Sequence, residues 1–156
     1  MPNITPCLWF DRDGEDAARL YVSLFPNSKI TKVSRYPEGL PGDRAGEVLT
    51  VEFELDGKAF TALNGGPQFP HSEAISFQIF VKDQAELDHY WDGLIAGGGE
   101  ESQCGWLKDR FGVSWQVAPE KMGAWMSNPE TAGRVAAAFM PMKRLDIAKL
   151  EAAARG

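Results

Sequence analysis

The feature that most constrains the fold of this chain is an internal repeat. Residues 4–26, moved along by 70 positions, fall on residues 74–96, and the two segments share a pattern although few residues are identical. In each copy a short apolar strand leads through an Asp-containing turn into an amphipathic helix. Asp13 aligns with Asp83, and Tyr21 aligns with Trp91. The repeat predicts two similar sheet-and-helix modules, and the cleft where such modules meet is the expected place for a ligand.

The first copy reads as a strand, a helix and three further strands. Residues 48–55 alternate between apolar and polar side chains, and Asp56-Gly57 predicts a tight hairpin turn into the next strand. Asp13 or Gly14 can cap the helix. The predicted strands cover residues 4–10, 28–36, 48–55 and 58–64, and the predicted helix covers residues 15–25.

The second copy repeats this order. The predicted strands cover residues 74–81, 101–106, 107–109 and 113–117, with a helix over 84–94, and helices near 120–126, 130–140 and 145–155 follow. We therefore predict a single α+β domain of two tandem βαβββ modules that form a cleft of mixed sheet, plus C-terminal helices. Its parts are a first module at 1–66, a second module at 73–119 and a helical extension at 120–156.

Composition excludes several classes of protein. The chain has 156 residues, a net charge of −6 and scattered basic residues, which argues against nucleic acid or an anionic membrane as partner. Its two cysteines form no metal-binding or disulfide pattern, and no apolar run is long enough to span a membrane. The first residues, MPNIT, show no signal peptide, so we expect a cytoplasmic protein.

Several local motifs resemble one family. They are TPCLWF at 5–10, LNGGP at 63–67, EAISF at 73–77, DQAELD at 83–88, CGWLKD at 104–109, FGVSWQ at 111–116 and MKRLDI at 142–147. The duplicated module resembles the vicinal oxygen chelate superfamily of glyoxalases, bleomycin resistance proteins and dioxygenases. The motifs are similar to its PhnB-like branch, which carries the label 3-demethylubiquinone-9 3-methyltransferase. A true methyltransferase is disfavoured, because the chain has no Gly-rich strand–turn–helix for S-adenosylmethionine.

The resemblance also implies where a metal would bind. Metal-dependent members take four ligands, two per module, from strand positions that face into the cleft. Counting back from Asp13 and Asp83 places the first-strand positions at Pro6 and Ser76, and the last-strand positions fall on Gln116 and Asn64. Proline has no side-chain donor, and the other three are weak neutral ligands, so we expect no catalytic metal and no cofactor. The alternative is a degenerate site that uses Glu52 and Gln116.

Strand alternation selects the candidate cleft residues. Phe77, Ile79 and Val81 are expected to face the helix, which leaves the residues between them facing the cleft. By the same alternation, Trp9 is expected to face the core. His71 is expected at the surface. Glu52 could act as a general base or be an exposed strand carboxylate, and Cys104 is either a reactive thiol or a packed one. The candidate cleft residues are Glu52, Asn64, Ser76, Gln78, Cys104, Trp106, Ser114 and Gln116.

Three functions remain open at this point. The first is a metal-independent protein that binds a small, partly aromatic or polar organic molecule in the cleft, with no reaction that the residues identify. The second is a metal-dependent lyase, isomerase or dioxygenase, and the third is a drug-sequestering resistance protein. We also expect a homodimer, because the extension carries apolar side chains that the repeat does not need: Trp125, Met126, Phe139, Met140 and Met142.

Overall fold

The computed structural model describes all 156 residues, which form two compact units at Met1–His71 and Ser72–Gly156. Each unit contains a four-stranded mixed sheet and a helix that follows its first strand, as the repeat predicts. The first unit contains β1 (Cys7–Phe10), α1 (Gly14–Leu24), β2 (Lys29–Arg35), β3 (Val48–Leu55) and β4 (Lys58–Asn64). The second contains β5 (Ser76–Val81), α2 (Gln84–Ile95), β6 (Glu100–Glu101), β7 (Trp106–Lys108), β8 (Ser114–Pro119), α3 (Met122–Ser127), α4 (Ala132–Phe139) and α5 (Ile147–Arg155).

The two sheets have the same strand order. In the first the order is β1-β4-β3-β2, and in the second it is β5-β8-β7-β6. The first strand of each unit pairs in parallel with the last, and the remaining pairs are antiparallel. In each unit the helix lies in the connection between the two parallel strands, and it covers one face of the sheet.

The helices bury matching aromatic side chains. Tyr21 of α1 and Trp91 of α2 are both fully buried, at the positions that the repeat aligns. The Asp83 carboxylate caps α2 by accepting from the Glu86 backbone N–H at 2.9 Å, while the Glu86 carboxylate accepts from the Lys82 N–H at 2.8 Å. The first bond satisfies an amide that a helix start leaves without a partner, and the second holds the residue before the cap against the first turn.

A buried carboxylate organises the turn between β7 and β8. Asp109 is 3% exposed and accepts from the backbone N–H groups of Phe111 and Val113, at 2.9 and 3.1 Å. Its second oxygen accepts from the indole N–H of Trp115 at 2.9 Å. The carboxylate thus fixes both the turn and a core tryptophan.

The C-terminal extension is part of the core of the second unit. Val135, Leu145 and Leu150 are at most 1% exposed. The Gln84 side chain donates to the Leu145 carbonyl and accepts from the Ile147 N–H. Residues 120–156 therefore complete the second unit by burying apolar surface.

No helix combines the length and hydrophobicity that crossing a lipid bilayer requires.

Candidate functional site

The face of the second sheet opposite α2, which we call the second open face, gathers several of the predicted cleft residues. Register pairs Ser76 with Ser114, Gln78 with Gln116, and Gln116 with Trp106, so that these side chains share one face. The residues between them are buried on the other face, as Ile79 and Val117 illustrate. Five predicted site residues thus lie together on adjacent strands.

Two of these side chains satisfy each other. The Gln116 side-chain amide donates to the Ser76 hydroxyl at 2.8 Å. Gln78, which lies opposite Gln116 in the register, is exposed. Gln78 is therefore the amide on this face that is most accessible to a ligand.

The first sheet has an equivalent face, the first open face. Cys7 of β1 pairs with Thr61 of β4, and Thr61 pairs with Glu52 of β3. Glu52 in turn pairs with Lys32 of β2, and its side chain is exposed. By strand order and register, Cys7, Thr61 and Glu52 occupy the positions that Gln78, Gln116 and Trp106 occupy in the second unit.

The predicted alignment of Pro6 with Ser76 is wrong by one residue. The buried residues Leu8 and Phe10 match Ile79 and Val81, an offset of 71, whereas the helices keep the offset of 70. The turn between strand and helix has one residue fewer in the second unit. Consequently Pro6 matches Phe77 and not Ser76, and Cys7 matches Gln78 on the open face.

Asn64 does not lie on the first open face. Its side chain is 3% exposed and accepts from the Gly14 N–H at 2.8 Å. Its amide donates to the carbonyls of Arg12 and Val48, at 3.3 and 3.2 Å. Asn64 pairs with the core residue Phe10, so the last-strand position that matches Gln116 is Thr61. The structure thus gives Asn64 the role of holding the start of α1, where Asp13 makes no side-chain cap.

Cys104 lies in a turn and not in a strand. Its backbone has a φ of 59°, and its N–H donates to the Met142 carbonyl at 2.7 Å. The thiol is 3.5 Å from the Met140 carbonyl. The predicted strand 101–106 is interrupted here, because the chain turns to meet the C-terminal extension. The structure therefore places Cys104 against the extension.

Trp9 and His71 also differ from prediction. Trp9 pairs with Leu63 on the first open face, and its indole N–H donates to the Gly66 carbonyl at 2.8 Å. The His71 ring packs on Phe10 with centroids 5.2 Å apart, and its Nε2 is buried without a hydrogen bond. His71 is thus a packed residue and not a freely solvated one.

Sequence reasoning missed an ion-pair cluster that fixes the loop after β2. Arg44 donates to the Glu47 carboxylate at 2.8 Å and lies over the Tyr36 ring at 4.7 Å. Glu47 also pairs with Arg12 at 3.3 Å. The hydrogen bond from Arg44 lowers the pKa of Glu47. The loop, with its many Gly and Pro residues, gives no periodic signal from which these contacts could be predicted.

The paired first-strand and last-strand positions of the open faces lack the His and carboxylate ligands that a catalytic divalent metal prefers. The open-face residues that pair across the first and last strands are Cys7 and Thr61 in one unit, and Gln78 and Gln116 in the other, where the predicted position Ser76 accepts a hydrogen bond from Gln116. Partial desolvation raises the pKa of the Cys7 thiol, which disfavours the thiolate that binds metals. No group of three His, Cys, Asp or Glu side chains is placed to hold an ion. The donor set does not fit the metal that the superfamily uses.

The fold and the faces define a class of protein, the two-module glyoxalase and bleomycin-resistance fold of the vicinal oxygen chelate superfamily. The chain matches, over residues 2–118, the family described as 3-demethylubiquinone-9 3-methyltransferase, and it belongs to that family. A search of curated proteins gives no match.

Solved structures agree with this assignment. A PhnB protein of Bacillus cereus, described as a 3-demethylubiquinone-9 3-methyltransferase, is 30% identical, with a TM-score of 0.66 over 74% of this chain and 98% of that one. Protein PA1353 of Pseudomonas aeruginosa is 20% identical, with a TM-score of 0.63 over 76% and 98%. The fosfomycin resistance protein FosX of Mesorhizobium loti shares the fold at 11% identity, with a TM-score of 0.57 over 81% and 98%.

Proposed function

We propose that this protein binds a small, partly aromatic or polar organic molecule on the open faces of its sheets, without a catalytic metal. The observation that carries the proposal is the composition of the second open face. Its exposed amide, Gln78, lies beside a hydrogen-bonded Gln116 and the half-buried ring of Trp106. Amides and an aromatic surface suit a neutral or weakly charged organic ligand.

Loss of the Gln78 amide should weaken binding of whatever small molecule co-purifies with the protein. We expect Gln78→Ala to raise the dissociation constant about fivefold, since one hydrogen bond contributes about 1 kcal/mol. The ligand would be identified by native mass spectrometry and its affinity measured by calorimetry. Gln68→Ala, at an exposed loop amide, is the matched control and should leave the affinity unchanged. Equal affinities for wild type and Gln78→Ala would refute the role of this face.

A metal-dependent lyase, isomerase or dioxygenase is the second candidate. Glu52, an exposed carboxylate on the first open face, is the observation that favours it. Metal analysis of the purified protein separates the two candidates. Stoichiometric Mn²⁺, Fe²⁺ or Zn²⁺, lost in Glu52→Gln, would replace the metal-free proposal with this one.

The methyltransferase activity in the family description is not part of our proposal. Calorimetry with S-adenosylmethionine tests this directly, and micromolar binding would overturn our view. Turnover of the bound ligand would then distinguish an enzyme from a protein that sequesters a drug by binding alone.

We also propose that the protein is a homodimer. Met140 and Met126 are 63% and 39% exposed in the C-terminal extension, which leaves apolar surface available to a second copy. Met140→Glu should shift the molar mass measured by light scattering from dimer toward monomer. Ala85→Glu, which adds the same charge at an exposed position of α2, should leave the dimer intact. A monomeric wild-type protein would exclude the proposal.

A further inference from the structure

A small pocket opens at the end of the second open face, where β6, β7 and β8 meet. Its volume is about 120 Å³. This is room for roughly four water molecules, or for one short organic group. Its walls include Glu73, Glu100, Trp106, Lys108 and Ser114. The pocket lies entirely within the second unit.

The Ser114 side chain in this pocket lacks a partner. The residue is 1% exposed, and its hydroxyl oxygen is buried with no hydrogen bond. Buried side-chain hydroxyls in folded proteins almost always have a hydrogen-bond partner, so an exception requires an explanation. Because Ser114 lines the pocket, a bound group that hydrogen-bonds to its oxygen supplies that partner.

The charge of the pocket is negative. Its walls carry three carboxylates, at Glu73, Glu100 and Glu101, against one ammonium group, at Lys108. The single cation is already engaged, because Lys108 forms an ion pair with Glu73. That hydrogen bond lowers the pKa of Glu73 and raises the pKa of Lys108, so both stay charged near neutral pH.

The remaining two carboxylates differ in their contacts. Glu101 accepts a hydrogen bond from the Trp91 indole N–H at 2.9 Å. Glu100 pairs with Lys108 across the strands and is near enough to help raise the pKa of Lys108, but the two side chains are not in ion-pair contact. Glu100 is therefore the carboxylate left to receive a cation. The Trp106 ring adds a surface that attracts positive charge.

We infer that this pocket binds a small organic molecule through a primary ammonium group, which donates to Ser114 Oγ and to the Glu100 carboxylate beside the Trp106 ring. The negative charge of the walls selects a cation, and that cation needs an N–H donor to form a hydrogen bond with the Ser114 oxygen. A quaternary ammonium has no such donor, and a carboxylate is repelled. The inference rests on the proposed function, since Trp106 and Ser114 belong to the second open face.

Titration with propylammonium chloride tests the inference. At constant ionic strength, the indole N–H resonance of Trp106, assigned through Trp106→Phe, should shift and saturate. Tetramethylammonium should bind at least about fivefold more weakly, because it cannot donate to Ser114. Propanoate, of similar size, should cause no shift. A flat response to propylammonium, or equal affinities for the two cations, would overturn the inference.

Two variants locate the site. Ser114→Ala and Glu100→Gln should each weaken propylammonium binding about fivefold. Glu120→Gln removes the same charge from an exposed position and should have no effect, which controls for general attraction of cations. Denaturation midpoints show whether Ser114→Ala folds, and the exposed Glu100 provides an independent test. Unchanged affinity in Glu100→Gln would count against the pocket.

The Gln78→Ala and propylammonium experiments together test this inference separately from the proposed function. If a co-purifying ligand is lost in Gln78→Ala while propylammonium leaves Trp106 unchanged, the second open face binds ligands and the amine pocket is wrong. If propylammonium binds as described but Gln78→Ala has no effect, the pocket stands and the wider face is not the binding site.

Discussion

Replacing Asp109 with alanine should lower the free energy of unfolding by about 4 kcal/mol. The substitution removes the carboxylate that accepts from the amide groups of Phe111 and Val113 and from the indole N–H of Trp115. Each hydrogen bond to a charged group contributes about 1.5–3 kcal/mol, and contributions within one cluster are not additive, so we expect about 4 kcal/mol for the three together. Urea denaturation, followed by tryptophan fluorescence, measures the change.

Two further variants sharpen this prediction. Asp109→Asn keeps the shape and one acceptor oxygen, so we expect about half of the loss. Asp43→Ala, at an exposed loop carboxylate, should change stability by less than about 0.5 kcal/mol. A loss below about 1 kcal/mol in Asp109→Ala, with an unchanged denaturant slope, would contradict the role assigned to this carboxylate.

Asn64→Ala should be the next most damaging substitution, at about 3 kcal/mol. It removes the acceptor for the Gly14 N–H at the start of α1 and the donor to the carbonyls of Arg12 and Val48. These backbone groups lie where the first strand, the first helix and β3 converge. Asn3→Ala, at an exposed position, is the control and should be neutral within about 0.5 kcal/mol.

A double-mutant cycle tests whether Asn64 acts through Gly14. A Cβ added at Gly14 would lie 2.6 Å from the Asn64 side-chain oxygen, so Gly14→Ala must displace the same hydrogen bond. The two substitutions together should therefore cost less than the sum of their separate costs. Strict additivity would show that the helix start and Asn64 are independent.

Much of the fold could be predicted because the signals are local. Alternation fixes β3, and Asp56-Gly57, with φ values of 49° and 75°, forms the predicted hairpin into β4. The aligned aromatic residues Tyr21 and Trp91 mark the buried faces of the two helices. These patterns depend on periods of two and of about 3.6 residues, which a sequence displays directly.

The errors in the predicted site arose where a shift of one residue reverses the side of the sheet that a side chain faces. A constant offset of 70 carried Pro6 onto Ser76, but the shorter turn of the second unit shifts the strands by one position relative to the helices. Because neighbouring strand residues face opposite sides, that shift exchanges the open and covered faces. The assignment of Asn64 to the cleft also failed. Its hydrogen-bond partners Gly14 and Val48 are distant in sequence, so no periodic pattern predicts these contacts.

The pocket beside Trp106 could not be predicted for a different reason. Its charge balance depends on Glu73, which lies in the segment before β5, reaching Lys108 of β7. The sequence contains both residues but does not show that they form an ion pair. The missing hydrogen-bond partner of the Ser114 hydroxyl is likewise apparent only from the contacts of the residues around it.

The burial of Leu145 and Leu150 in the second unit has a consequence for synthesis on the ribosome. The first unit, at Met1–His71, has its whole sheet and helix ahead of the second unit in the sequence. The second unit lacks part of its apolar interior until the last helix, Ile147–Arg155, has emerged. We expect the nascent chain to gain stable structure in two stages, with the second unit exposed to proteases and chaperones until this helix has emerged.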